Sequence, residues 1–308
     1  MFAIWFSRGN KAMNILTFDI EEWYTEKALH GDRPSYYLKY DHSLNAILDL
    51  LDEVQLKGTF FCVGQIGYMF PEVVRRIYDR GHEIGCHSNT HTWLNKMGRK
   101  EVYDDTRQAI DSLQQCIGQK VVSYRAPSFS IGKENIWVFE TLAACGIERD
   151  ASVYPAKREV GGFSEFGQQK PIIIKCGECS IKEYPICTTH LFGRDIAYSG
   201  GGYFRFFPLW FVKKTMTKND YNMCYFHIGD LIRMHSGILS KTEFERNFKE
   251  PGTLEKRIIR YVKDCIGTDS AFSKIKSLIS SMDFVNLDSA DRLVDWENTM
   301  TVNLDQYV

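Results

Sequence analysis

Asn14-Ile15-Leu16-Thr17-Phe18-Asp19-Ile20-Glu21-Glu22-Trp23 decides how the chain is read, because an apolar β-rich run ends there abruptly in carboxylates. Working outward, the same unit recurs along the first two thirds of the chain. Strands are expected at 14–19, 59–64, 82–87, 121–124, 147–152 and 223–227. Helical periodicity fills the gaps near 43–55, 71–80, 100–117 and 133–145. Ser43 and Pro71 stand where helices start, and Gly81, Gly118 and Gly146 stand just past helix ends. Strand, helix, strand in this order is the signature of a parallel sheet. Residues 155–205 are an excursion from the repeat, with two strand-like runs, PIIIKC and IKEYPIC. From Thr242 onward the pattern is helical and charged, with helices expected at 256–265 and 272–281.

Composition narrows the functional classes. The 308 residues carry 38 Lys plus Arg against 39 Asp plus Glu, a formal net charge of −1, and 44% are hydrophobic. Such a chain has no long-range field to gather a phosphate backbone, so nucleic acid is not expected as a partner. No apolar run approaches the roughly 18 residues of a membrane span. Nine cysteines, an odd number without framework spacing, read as thiols of a reducing compartment. The opening MFAIWFSRGNKAMN lacks the order of a secretory signal, so a cytoplasmic protein is expected, with residues 1–12 as a tail.

In parallel sheets and barrels the working residues stand at the carboxyl ends of strands. Asp19, Glu21, the run His87-Ser88-Asn89-Thr90-His91, Arg125, Asp150 and His227 all fall there. Alternation in an extended segment puts Asp19 and Glu21 on one face. Two carboxylates in one pocket call for a cation, which suggests a metal on one and a general base in the other. His87 and His91, four apart, stack on one helical turn and offer two nitrogen ligands. Two imidazoles and one carboxylate leave coordination positions open, as a hydrolytic metal site requires. Arg125, before Ala126-Pro127, can hold a carboxylate in place. Asp150 and Asp230 are both candidates to orient His227. Cys176-Gly177-Glu178-Cys179 lacks the second CxxC of a zinc site, and Gly200-Gly201-Gly202 lacks the GK[ST] of a phosphate loop.

The ordered set TFDIEEW (17–23), HSNTH (87–91), RAPSFS (125–130), DASVYP (150–155) and YFHIGD (225–230) resembles the polysaccharide deacetylases, carbohydrate esterase family four. FDIEEW together with GGGYFRFFP (200–208) is similar to the branch associated with exopolysaccharide or capsule synthesis. The resemblance implies an α/β fold: a distorted (β/α) barrel with fewer than eight complete units and roughly seven strands. It divides the chain into the tail, a catalytic barrel over 13–240 and a helical extension over 241–308. It also implies a divalent metal, Zn2+ first and Co2+ or Ni2+ next, and hydrolysis of N-acetyl groups on an oligo- or polysaccharide.

Position by position, Asp19 matches the base, His87 and His91 the metal ligands, Arg125 the base's partner and His227 the acid. The family's metal-binding Asp directly after the base is Ile20 here, so Glu21 must substitute. Its Arg-x-Pro-Tyr aromatic is Ser128, with Phe129 next, and the apolar position before the acid is Tyr225. The tryptophan of the fourth motif has no counterpart near Tyr154. Trp23, Ser128, Phe129, Tyr154, Tyr203, Arg205 and Tyr225 are the expected substrate contacts. A carbohydrate-binding or assembly protein that kept the fold and lost turnover is the alternative, with Ile20, Ser128 and Tyr225 as its evidence.

Overall fold

The computed structural model describes residues 12–158, 161–191, 193–233, 237–248 and 250–304. All but one residue of the expected tail, and the last four of the extension, lie outside these. The strands are β1 (Met13–Ile20), β2 (Thr59–Cys62), β3 (Glu83–Cys86), β4 (Ser123–Tyr124), β5 (Arg149–Asp150) and β6 (Ile172–Cys176). They continue with β7 (Cys179–Glu183), β8 (Thr188–Leu191), β9 (Arg194–Ala197), β10 (Tyr221–His227) and β11 (Thr301–Asn303).

Nine of them form one sheet in the order β10-β1-β2-β3-β4-β5-β7-β6-β11. The seven strands from β10 to β7 are mutually parallel, while β6 runs antiparallel to β7. The roughly seven strands expected are therefore this parallel run. PIIIKC and IKEYPIC are no excursion: they are β6 and β7, and they extend the sheet. Residues 176 and 179 are backbone register partners at the β6–β7 turn.

Twelve helices are described: α1 (Glu22–His30), α2 (Pro34–Glu53), α3 (Gly64–Met69), α4 (Pro71–Asp79), α5 (Arg99–Ile117) and α6 (Val138–Ala144). After them come α7 (Gly201–Phe206), α8 (Leu209–Met216), α9 (Lys241–Phe248), α10 (Leu254–Cys265), α11 (Thr268–Ile279) and α12 (Leu287–Leu293). Among the described residues none is long and apolar enough to cross a membrane. Gly81, Gly118 and Gly146 take left-handed backbone, as helix ends require. Ser43 does not start a helix. It lies inside α2, whose Pro34 occupies the first turn and whose inward face includes Tyr40, Leu44, Ile47 and Leu51.

The sheet curls until strands far apart in its order touch. Arg125, just after β4, reaches Thr17 of β1 and Met223 of β10. Phe18 stacks on Phe60 at 4.8 Å and tilts against Phe226. At the amino-terminal ends of the strands the last segment seals the bottom. Val285 pairs with Asn14 and Leu16, and the Asp288 N–H donates to Glu83, which also binds Ser123 and Arg149. The chain after residue 240 thus carries α9 to α12 and β11, and Val285 and Asp288 bond it to the strand ends. The opposite end is left open for chemistry.

Candidate active site

Each side chain at the open end is aimed by the strand behind it. Asp19 is the second-last residue of β1 and is 2% exposed, and the buried Ile20 follows it. Glu21 stands just past the strand at the start of α1, and both carboxylates line one cleft of about 700 Å³. The His87 N–H continues the β2–β3 pairing by donating to the Cys62 carbonyl. The run that follows is a loop and not the helical turn expected. Ser88 and His91 adopt left-handed backbone, φ 60° and 54°, and the His91 N–H donates to Ser88 Oγ at 2.9 Å. Such backbone is costly for non-glycine residues and persists where the surroundings enforce it. Here it folds the loop back so that the two imidazole centroids lie 5.1 Å apart.

Glu21 Oε2 lies 2.5 Å from His91 Nε2 and 3.6 Å from His87 Nε2. One ligand atom from each of the three residues falls within 4.8 Å of the others. The Arg125 carbonyl can only accept, so the 2.8 Å contact to it places the proton on His87 Nδ1. His87 Nε2 is then the ring nitrogen that faces Glu21, while Nδ1 has the outer partner that metal-binding histidines commonly have. The donor set fits a divalent cation with positions to spare. Burial opposes charge on Glu21, yet the neighbouring His91 and His87 outweigh it and hold the carboxyl well below its usual range.

Beside this triad, Asp19 Oδ1 accepts from Arg125 Nη1 at 2.8 Å, and Asp19 Oδ2 lies 3.7 Å from His227 Nε2. Arg125 is fully buried. Its other donors reach Thr17 Oγ1 and the Ala151 carbonyl, and its guanidinium lies over Phe61. His227 Nδ1 meets Asp230 Oδ2 at 3.2 Å, and Asp230 Oδ1 pairs with Arg205 Nε at 2.9 Å. Burial disfavours the imidazolium, but the Asp230 hydrogen bond and the charges of Glu21, Asp230 and Asp19 raise His227 well above its ordinary value. A carboxylate held by arginine and a protonated imidazole therefore flank the three-ligand cluster.

Residues 8–147 match the family model described as polysaccharide deacetylase. That segment, less than half of the chain, is similar to the polysaccharide deacetylases. A second model, described as a domain of unknown function, DUF3473, matches residues 151–291. Among curated relatives, the chain is 33% identical over 119 residues to a chitooligosaccharide deacetylase of Sinorhizobium fredii, covering 37% of this chain and 54% of that protein. It is 30% identical over 88 residues to the peptidoglycan-N-acetylglucosamine deacetylase of Listeria monocytogenes, 29% of this chain and 19% of that one. The chain thus spans about half, or less, of the curated relatives it matches. Among solved structures, a candidate polysaccharide deacetylase of Mycobacterium smegmatis shares the fold, with TM-score 0.53, 18% identity and coverage of 91% of this chain and 94% of that one.

The first matched segment carries Asp19, Glu21, His87, His91 and Arg125, whereas His227 and Asp230 come from the segment of the second model. The two matched segments meet in one cleft. Its walls include Ser128, Phe129, Tyr203, Tyr225 and the Arg205 stem.

Not every expected residue is placed to contact a substrate there. Trp23 is 1% exposed and packs on Tyr40, because α1 turns it inward. Tyr154 is buried behind Phe129, its hydroxyl accepting from the Ala197 N–H. Arg205 is spent on Asp230 and on the carbonyls of Lys263, Asp264 and Ile266, so it positions Asp230. Asp150 does not orient His227, since Asp230 does. Asp150 instead accepts from the N–H and hydroxyl of Ser152, whose Oγ accepts in turn from the Ala126 N–H. Burial and the Asp150 charge push its neighbour Glu183 well above the carboxylate range.

Three residues escaped sequence reasoning. Glu22, buried and accepting from the Gly229 N–H, is raised to about 7 by burial and by Glu21 beside it. Its place after two other acidic positions was the available signal. Arg158 lies over Phe129 and Tyr154 and donates to the Ser128 carbonyl. Nothing in the sequence distinguished it, or Glu183, from an ordinary surface charge.

Proposed function

We propose that this protein is a divalent-metal-dependent hydrolase that removes N-acetyl groups from amino sugars of a bacterial surface polysaccharide or its precursor. One observation carries the reading: Glu21, His87 and His91 converge beside the Asp19–Arg125 pair and the His227–Asp230 pair within one cleft. The names of the relatives support the substrate class, and the FDIEEW and GGGYFRFFP segments support the exopolysaccharide branch. Zn2+ suits two imidazoles and a carboxylate, with Co2+ and Ni2+ as substitutes.

A cation on these ligands would supply Lewis-acid polarisation and a more acidic water. Asp19, held by Arg125, takes the proton of the attacking water at Oδ2. The Ser128 peptide, in left-handed backbone at the cleft wall, is the donor we assign to the tetrahedral oxyanion. His227 Nε2 delivers a proton to the departing nitrogen, so acetate and a free amine result instead of an amine anion. Its charge is held by Asp230, which lies under it in turn fixed by Arg205. Work in the cytoplasm is part of this proposal, supported by the eight described cysteines being free thiols.

The test is acetate release from a panel of N-acetylated oligosaccharides by metal-stripped protein and by protein resupplied with zinc, cobalt or nickel. Acetate that appears only on resupply is expected. Glycan binding with metal bound and no acetate from any substrate would favour the non-catalytic alternative.

A further inference from the structure

Asp150 and Glu183 stand side by side on β5 and β7, and both are fully buried. Strand β5 ends at Asp150, so the Ser152 and Val153 N–H groups beyond it have no strand to donate to. The two carboxyls take them. Ser152 N–H donates to Asp150 Oδ2 at 3.1 Å, and Val153 N–H donates to Glu183 Oε1 at 3.0 Å. The Ser152 hydroxyl is a second donor to Asp150, at 2.6 Å from Oδ1. No donor among the described residues reaches Glu183 Oε2.

Two carboxyls in contact away from water do not both carry charge, so one keeps a proton. The donors around them decide which. Asp150 has both Ser152 donors and the nearby Arg125 guanidinium, whereas Glu183 has the Val153 N–H alone, so Glu183 Oε2 holds the proton and donates it to Asp150. Tyr124 and Tyr221, which also face the pair, are kept as neutral phenols by burial.

An ionised Asp150 sets the direction of a longer chain of bonds. It can only accept, so the Ser152 hydroxyl donates to it and offers a lone pair to the Ala126 N–H at 2.8 Å. That N–H and the Arg125 carbonyl belong to one planar peptide unit, and the carbonyl accepts from His87 Nδ1 at 2.8 Å. The same segment holds Arg125 a second time, since Arg125 Nε donates to the Ala151 carbonyl at 3.2 Å. Hydrogen bonds aligned head to tail polarise one another. We propose that Glu183 and Asp150 are positioning residues for His87: the proton on Glu183 keeps Asp150 an oriented anion, and Ser152 with the Arg125–Ala126 peptide carries that orientation to the imidazole. The proposal rests on the reading of Glu21, His87 and His91 as a cation site, and it gives the barrel interior a part in aiming one of the ligands.

The test combines infrared difference spectra, imidazole nitrogen resonances and Zn2+ titration calorimetry on the full chain. Wild type minus Glu183→Gln, metal-free at neutral pH, should show the carbonyl band of a protonated carboxyl on the wild-type side; its absence would overturn the proposal. Glutamine can accept from the Val153 N–H and donate to Asp150, so Glu183→Gln should keep Zn2+ affinity within about threefold. Glu183→Met, which fills the space with neither group, and Ser152→Ala, which interrupts the chain, should each weaken Zn2+ binding by about tenfold. In the metal-free protein Ser152→Ala should move the ring resonances of His87 and leave those of His91 in place, a selectivity that general loosening of the fold does not produce. Unmoved His87 resonances, or equal movement of His91, would overturn the proposal even where Glu183→Met does not fold. A wild type that binds no Zn2+ would count against the cation site alone, because the infrared band and the His87 resonances are read without metal.

Discussion

Asp19 and Glu21 sit two residues apart and do different work because their partners differ. Asp19 faces a buried guanidinium at 2.8 Å and His227, while Glu21 faces two imidazoles. Asp19→Asn keeps the shape and removes the base, so turnover should fall by about 100-fold to 10,000-fold while metal stays bound. Acetate assays paired with metal analysis check this, and full activity would remove Asp19 from the mechanism. His227 gives the pH dependence its sign. Its raised pKa means that the acid form persists through neutrality, so loss of the His227 proton should make kcat/KM decline on the alkaline side. The Asp230 hydrogen bond is the first of the influences raising it, so Asp230→Asn should move that alkaline limb to lower pH. An unmoved limb would separate Asp230 from the acid.

At the scale of elements, the sequence was most legible where burial is two-sided. The expected strand at 223–227 is β10, Tyr221–His227, and that at 14–19 is β1, Met13–Ile20, since apolar runs admit little else there. It was least legible where tertiary bonds fix the backbone. The loop 87–91 shows ligand spacing but not its two left-handed residues, and the α2 start was hidden by a polar first half. Of Gly200–Gly202 the sequence says only that it is no phosphate loop. Gly200 instead precedes α7 and bridges to Tyr225, where an added Cβ would fall 2.3 Å from the tyrosine ring and carbonyl. Gly200→Ala should therefore destabilise the fold by about 2–3 kcal/mol and lower its thermal midpoint. An unchanged melting curve would mean that the β10–α7 junction yields more easily than this packing implies.

At the scale of the whole molecule, the candidate site was legible as a set before any contact was known, because strand ends of a parallel sheet gather at one end. What the set could not reveal is division of labour among similar residues. Asp150 and Asp230 look alike in sequence, yet curvature carries one behind Arg125 and the other under His227. Trp23 and Tyr203 are both aromatic, yet only Tyr203 reaches the cleft. The unity of the two matched segments is also a property of the whole: the first holds Asp19, Glu21, His87 and His91, the second His227, and all five line one cleft. The central claim is that Glu21 fills the place that Ile20 leaves in the metal site. Metal titration of wild type and Glu21→Ala by calorimetry tests it most directly. The account predicts one equivalent bound by the wild type and affinity weakened at least about a hundredfold by the substitution. Equal affinity and stoichiometry in the two proteins would contradict it.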